Sequence, residues 1–315
     1  MANGARLGDM VCGRFAPSPT GSLHLGNLRT ALLSWLLADP GCWLVRMEDL
    51  DRVTSSVAHE HQQLSDLAAL GLRPDGPVVR QSERFDRYRS AIATLAELDL
   101  VYPCYCTRRE IREAVSAPHQ LPVGAAPEGA YPGTCRDLDR RGRGAREREG
   151  RPAALRFRSD GAAVTVTDLV CGSYTGLVDD VVLQRADGVP AYNLAVVVDD
   201  AAQGVDIVVR GDDLLSSTPR QVALQRHLGL PTPIYAHVAL VVGVDRQRLS
   251  KRHGAVTLAD LAERDIGVEA VRAWLASTIG VPAGVDLDRW RDQFDLAMLS
   301  RDPVIVDLDM PPFGP

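Results

Sequence analysis

Lysine is almost missing from this chain. Of the 35 basic side chains in 315 residues, Lys251 is the one lysine and every other is arginine. Genome composition explains the arginine bias, but the single exception needs a chemical reason. Long apolar runs are absent too. No stretch approaches the roughly 18 uninterrupted apolar residues that mark a membrane-spanning helix. The opening Met-Ala-Asn-Gly-Ala-Arg-Leu-Gly-Asp-Met lacks the apolar core of a signal peptide, which points to the cytoplasm. Six cysteines in this length make no disulfide framework, and a reducing cytosol disfavours one. Excess positive charge is also lacking. The net charge is −6, which argues against a generally sticky nucleic-acid binder but leaves room for RNA on a local basic face. The remaining composition, 45% hydrophobic and 24% charged, is that of an ordinary globular protein. The length suits about two or three domains.

The rest of the chain is organised around Arg14-Phe-Ala-Pro-Ser-Pro-Thr-Gly-Ser-Leu-His-Leu-Gly-Asn27. Met10-Val-Cys-Gly before it reads as a short buried strand. After it, Leu25, Leu28, Leu32 and Trp35/Leu36 recur on one face of a helix running to Ala38. A helix start after such a turn offers free N–H groups and a positive dipole end to a phosphate. Gly21 and Gly26 allow close approach to the backbone, and His24 adds a donor. Alone, this reads first as a β–α turn with a partly buried structural histidine.

Residues 41–51 read as a second buried strand ending in Glu48, Asp49 and Asp51. With the intervening helix it makes a βαβ unit with a parallel sheet, whose ligands sit at the carboxyl ends of the strands. Two amphipathic helices follow, over Ser55–Leu70 and Arg84–Leu98. Segments Ala154–Arg158, Ala163–Asp168 and Val178–Gln184 alternate as a small antiparallel sheet of an inserted domain. The parallel pattern resumes with a segment of helical or mixed type at Ala191–Asp200. A strand follows at Asp206–Arg210, then a helix at Thr218–Leu228 with Thr218 as N-cap and Pro219 next. Tyr235–Val242 is another buried strand. Leu258–Leu299 is mostly helical, and residues 301–315 read as an irregular tail.

Cys104 and Cys106, with Cys135 downstream, bring three soft ligands together where zinc wants a tetrahedral four. The fourth falls to Tyr131, His119 or a water, and three free buried thiols are the competing reading. Arg136–Arg151 is a charge run, expected as a solvated, mobile loop or an RNA contact. The polar loop Asp245-Arg-Gln-Arg-Leu-Ser-Lys-Arg-His-Gly254 follows a strand and holds Lys251. An ammonium on a flexible stem follows moving charge where a planar guanidinium does not. That suits a departing pyrophosphate.

Pro17–Asn27 resembles the HIGH signature of class I aminoacyl-tRNA synthetases in its glutamyl form, and Arg248-Leu-Ser-Lys-Arg252 resembles KMSKS. Arg46–Arg52, Tyr192–Asp200 and Val209–Leu215 are similar to the same subgroup, in order, so the resemblance runs from about residue 11 to 280. Asn27 departs from the last histidine of HIGH, and Arg248 and Arg252 depart from KMSKS. The short stretch after Lys251 resembles the truncated paralogues of that subgroup, the glutamyl-queuosine tRNA(Asp) synthetases. The resemblance implies an α/β fold: a Rossmann-type parallel sheet with an inserted α+β zinc-containing domain and a short C-terminal helical stem-contact region. It divides the chain into catalytic halves at 10–100 and 186–243, an insertion at 101–185 with its zinc module at 101–136, a KMSKS-like loop and helices at 244–300, and the tail.

The implied activity is tRNA-independent activation of L-glutamate by ATP, then transfer to the queuosine base in the anticodon of tRNA(Asp). Charging of a tRNA 3′ end and a non-catalytic RNA-binding role are the alternatives. By motif, Arg14, Phe15, Ala16, Pro17, Ser18, Glu48, Tyr192 and Arg210 would hold glutamate. His24, Gly26, Asn27, Ser250 and Lys251 would hold ATP, with His24 and Lys251 catalytic and Mg2+ accompanying the nucleotide. Cys104, Cys106, Tyr131 and Cys135 would hold one structural Zn2+. The family resemblance points to a cytoplasmic enzyme, expected as a monomer.

Overall fold

The computed structural model describes residues 11–115, 130–247, 249 and 256–314. The first half builds strand β1 (Gly13–Phe15), helix α1 (Leu25–Leu36), β2 (Trp43–Met47), α2 (Val57–Ala69), β3 (Val79–Arg80) and α3 (Phe85–Glu97). Helix α1 starts where expected because His24 caps it. The His24 ring accepts the Asn27 N–H, and the Asn27 side chain accepts the His24 N–H, a reciprocal cap that satisfies two end donors. Its apolar stripe, Leu25, Leu28, Leu32 and Leu36, is buried against the sheet. Strand β1 pairs in parallel with β2, Arg14 opposite Leu44.

The inserted stretch holds β4 (Val101–Cys104), α4 (Arg108–Val115), α5 (Arg140–Arg148), β5 (Ala154–Phe157), β6 (Ala163–Asp168), β7 (Gly172–Leu177) and β8 (Val182–Gln184). Three sequence expectations change here. The antiparallel sheet of this stretch is β4-β5-β8 alone, and the β6–β7 hairpin instead extends the main sheet. Alternate residues Val164, Val166 and Asp168 of β6 are buried; that buried face and the pairing of Asp168 with Tyr235 draw the hairpin into the larger layer. The arginine-rich run is not an irregular loop: Asp139 caps α5 by accepting the Gly142 N–H, and Arg146 and Arg148 sit in the last turn, where the dipole favours cations. Tyr105 Oη donates to Glu147 at 3.0 Å, anchoring the helix. Finally, Cys12 and Cys42 form a disulfide. They precede neighbouring parallel strands, and their Cα atoms lie 4.7 Å apart, within disulfide reach.

The chain then makes α6 (Tyr192–Ala202), β9 (Ile207–Gly211), α7 (Thr218–His227), β10 (Ile234–Val238), β11 (Val241–Val242), α8 (Leu258–Ala262), α9 (Val268–Ile279), α10 (Leu287–Gln293) and β12 (Val304–Ile305). The seven-stranded sheet runs β3-β2-β1-β9-β10-β6-β7 and is parallel apart from the last pair. From β1 the first half builds outward through β2 and the second through β9, so the switch point lies between β1 and β9. Such a crevice is where open α/β sheets bind ligands. One core layer gathers Leu28, Trp43, Val45 and Trp274; the other gathers Leu194, Val208, Leu224 and Tyr235. Arg29 is buried and joins the halves, donating to Ala239 O at 3.2 Å and to Thr278 Oγ1 at 3.2 Å. Burial lowers its pKa to about 10. The tail is less irregular than its prolines imply. Strand β12 pairs with β11, and Phe313 meets Trp274 at 6.0 Å between ring centroids. Among the described residues no helix is long and apolar enough to cross a membrane.

Candidate active site

A cleft of about 1030 Å³ opens at the carboxyl ends of β1 and β9. Arg14, Phe15, Ala16, Pro17 and Ser18 line it, as do His24, Gly26, Asn27, Glu48, Tyr192 and Arg210. The described members of both expected substrate sets therefore share one cavity. Ser250 and Lys251 lie outside the described residues, as does His119. Because His24 Nδ1 accepts the Asn27 N–H at 3.3 Å, the proton of the neutral ring falls on Nε2. Gly26 has a local purpose beyond ligand approach. A Cβ there would stand 3.0 Å from the His24 ring and 3.4 Å from Val241 Cβ.

Below the cleft floor lies a buried charge cluster. Asp200 Oδ1, in the last turn of α6, receives Arg14 Nε from β1 at 3.1 Å and Arg46 Nη1 from β2 at 2.7 Å. Arg46 also reaches Glu48 Oε1 at 3.5 Å and Gln203 Oε1 at 2.8 Å. Burial opposes the charge of Asp200, but Arg14 and Arg46 outweigh it and hold the carboxyl below its ordinary range. Glu48 goes the other way: burial raises it, and the attraction of Arg46 and Arg14 only partly offsets this. The neighbouring Asp199 accepts from Gln81, Arg84 and Tyr88 at 3.0, 2.6 and 2.7 Å. Neither aspartate was singled out as a site residue. The signal available was a pair of carboxylates closing an otherwise apolar helix.

Arg210, next to last in β9, has nearly every donor engaged. Its Nε donates to His237 Nε2 at 3.0 Å, and its Nη2 to Thr218 Oγ1 at 2.8 Å. Its Nη1 donates to Gln221 Oε1 at 2.8 Å and to Tyr192 Oη at 3.2 Å. One Nη2 N–H is left for a ligand in the cleft, and Tyr192, accepting from Arg210, keeps its own O–H to donate. Thr218 is thus not the cap of α7. Ser217 takes that position, and the Thr218 hydroxyl turns to the arginine. His237, Thr218, Gln221 and Asp168 were not legible as site residues, since no spacing marks them.

A second cluster stands apart from the cleft lining. The Sγ atoms of Cys104, Cys106 and Cys135 lie within 4.8 Å of one another. Tyr131 Oη is 3.3 Å from Cys104 Sγ and 3.5 Å from Cys106 Sγ. Zinc–sulfur bonds in a tetrahedron put sulfurs about 3.8 Å apart, so the donor set fits in size and softness. Among the described residues this is the one group of three metal-ligating side chains so placed.

The sheet order and the shared cleft define a class I synthetase catalytic domain, and comparison bears this out. The family model described as "tRNA synthetases class I (E and Q), catalytic domain" matches residues 10–282. A glutamyl-Q tRNA(Asp) synthetase of Nocardia farcinica is 56% identical over 296 residues, covering 93% of this chain and 92% of that one. A glutamate–tRNA ligase of Pelobacter propionicus is 40% identical over 309 residues, covering 94% of this chain and 63% of that one. The crystal structure of a glutamate tRNA ligase from Elizabethkingia meningosepticum, in complex with its amino acid, is similar with a TM-score of 0.78. Its identity is 27%, over 95% of this chain and 67% of that one. The chain belongs to the class I E and Q synthetases and, within them, to the glutamyl-Q tRNA(Asp) synthetase group of ligases.

Removing the shared carboxylate leaves two buried guanidinium groups side by side. Asp200→Ala is expected to cost about 3–5 kcal/mol, read as a lower urea midpoint.

Proposed function

We propose that this protein activates L-glutamate with ATP without tRNA, then transfers the glutamyl group to the queuosine base in the anticodon of tRNA(Asp). The observation that carries the reading is one cleft lined both by the donors of Arg210 and Tyr192 and by the carboxylate of Glu48. A ligand with a carboxylate at one end and an ammonium at the other complements both. Glutamine fits worse, because its amide NH2 would set a donor against the remaining Arg210 N–H or the Tyr192 O–H. Arg14 through Ser18 and Glu48 hold the α-amino acid end, and Arg210 and Tyr192 the side-chain carboxylate. The α-carboxylate oxygen attacks the α-phosphorus, the bond to the β-phosphate breaks, and pyrophosphate leaves with its negative charge. His24 Nε2–H and the N-terminus of α1 stabilise that charge, with Gly26 and Asn27 at the same helix end. Ser250 and Lys251 complete the ATP side, and Mg2+ accompanies the nucleotide. A queuosine hydroxyl then attacks the mixed anhydride, releasing AMP. The helices after residue 244 contact the RNA stem. The names of the relatives support the acceptor, and a monomeric, cytoplasmic enzyme suits the reading.

Glutamate-dependent ATP–pyrophosphate exchange without tRNA tests the first step, and transfer to tRNA(Asp) with and without queuosine tests the second. No exchange with glutamate, or faster exchange with glutamine, overturns the proposal. The likeness to a glutamate–tRNA ligase favours 3′-end charging as the second reading; equal transfer to tRNA lacking queuosine would select it.

Glu48 adds a pH signature. Protonation removes the charge that holds the ammonium, and burial raises its pKa. The KM for glutamate should therefore climb as pH falls, starting above the ordinary carboxylate range. Glu48→Gln should raise KM roughly 10- to 100-fold and flatten that limb.

Cys104, Cys106, Tyr131 and Cys135 are proposed to hold one zinc ion as a structural clip on the β4–β5 sheet. Metal analysis should find one zinc per chain, and Cys135→Ser should lower both zinc content and melting temperature while exchange with glutamate persists.

A further inference from the structure

Arg210 and His237 are cross-strand partners on β9 and β10, and Asp168 lies next to them at the end of β6. His237 Nδ1 meets Asp168 Oδ2 at 2.6 Å, while His237 Nε2 meets Arg210 Nε at 3.0 Å and Thr218 Oγ1 at 3.1 Å. All three side chains are nearly solvent-free. An arginine N–H can only donate, so Nε2 must be an unprotonated acceptor. The ring therefore carries its proton on Nδ1 and gives it to Asp168, since the bond at one ring nitrogen selects the state of the other. The Thr218 hydroxyl, accepting from Arg210 Nη2, can donate its own proton to the same Nε2.

We propose that Asp168 and His237 form a positioning dyad that sets the orientation of Arg210 and thereby the enzyme's selection for an acidic side chain. The inference rests on the assignment of glutamate as substrate. Asp168 locks the tautomer, the tautomer makes Nε2 an acceptor, and the acceptor pins the Nε edge of the guanidinium. The remaining Nη2 N–H and the Tyr192 hydroxyl are then presented together, two donors for the two oxygens of a carboxylate. Burial lowers the His237 pKa, and Arg210 pushes it the same way against the bond from Asp168, so the neutral ring this geometry needs is the favoured one. Burial opposes ionisation of Asp168, but bonds from His237 and from the Cys171 and Val170 N–H groups prevail and keep it charged. Tyr235 stacks on the imidazole at 5.9 Å between centroids, and Asp212 is the other carboxylate acting on it.

A structural role for Asp168 competes with this, because its Oδ1 also accepts the Val170 and Cys171 N–H groups, and the His237 N–H is shared between Oδ1 at 3.2 Å and Oδ2 at 3.0 Å. Asp168→Asn separates the two. Asparagine Oδ1 keeps the bonds from Val170 and Cys171 and the 3.2 Å bond from the His237 N–H, while its NH2 replaces Oδ2, giving up the 3.0 Å bond from that N–H, and donates to Nδ1. That moves the ring proton to Nε2, where it opposes the Arg210 N–H.

In ATP–pyrophosphate exchange, Asp168→Asn should raise the KM for glutamate tenfold or more and leave the KM for ATP and kcat within about threefold. His237→Gln, whose Oε1 can replace Nε2 as acceptor, should restore much of the glutamate KM that His237→Ala loses. Imidazole nitrogen NMR without substrate should show Nδ1–H in the wild type and Nε2–H in Asp168→Asn. An unchanged glutamate KM, an equal rise in ATP KM, or an Nε2–H tautomer in the wild type overturns the dyad. Wild-type protein with no glutamate-dependent exchange but the Nδ1–H tautomer instead overturns the substrate assignment and leaves the dyad standing.

Discussion

Two guanidinium groups share one buried carboxylate at the centre of this molecule. Arg14 belongs to β1, Arg46 to β2 and Asp200 to α6, so the contact ties the first half of the sheet to the helix that opens the second. Any one of these charges alone in the interior would cost several kcal/mol. Asp200 offsets part of both positive charges, Glu48 and Asp199 also face Arg46, and the cluster holds only when the two halves are in register. Glu48 inherits its environment from the cluster, because Arg46 and Arg14 are its nearest cations and the burial that raises its pKa is the burial of the same floor.

The cleft lining combines an acceptor with a set of donors. Glu48 is an acceptor held near the end of β2. Arg210 and Tyr192 are donors whose own acceptors lie behind them, in His237, Thr218 and Gln221. Saturating a buried arginine from the rear removes its freedom to rotate and leaves few donors to aim forward. A ligand must match those few, which is how an ordinary side chain acquires selectivity. His24 follows the same logic at the start of α1: its backbone N–H and Nδ1 are spent on the Asn27 cap, which sets where the proton of its neutral ring sits.

Several expectations depended on local pattern and fared according to how local the cause was. Helix α1 was legible because its apolar spacing and its capping residues are all within a few positions of one another. Helix α5 was not, since the charge of its arginines hid the Asp139 cap that starts it. Strand β6 was recognisable by its alternation, but its hairpin partner β7 was not, and the sheet the hairpin joins is chosen by Tyr235, far along the chain. The Cys12–Cys42 bridge was unreadable for a similar reason. Those residues are 30 positions apart, and only the parallel pairing of β1 with β2 brings them together.

The sequence, through its motifs and the resemblance they carry, determined the class of this protein, the turn that opens α1, the members of the cysteine–tyrosine cluster and the charged and motif-borne residues of the cleft. These are carried by short motifs whose residues act from one loop or one strand end. Tertiary structure alone decided what stands behind them: Asp200 between two arginines, and Asp168 and His237 behind Arg210. The partners in those contacts are 186 and 69 residues apart. A supporting residue needs only the right atom at the right distance, and any strand that passes the site can supply it. No spacing along the chain encodes it, whereas the strand order β1-β9-β10-β6 does.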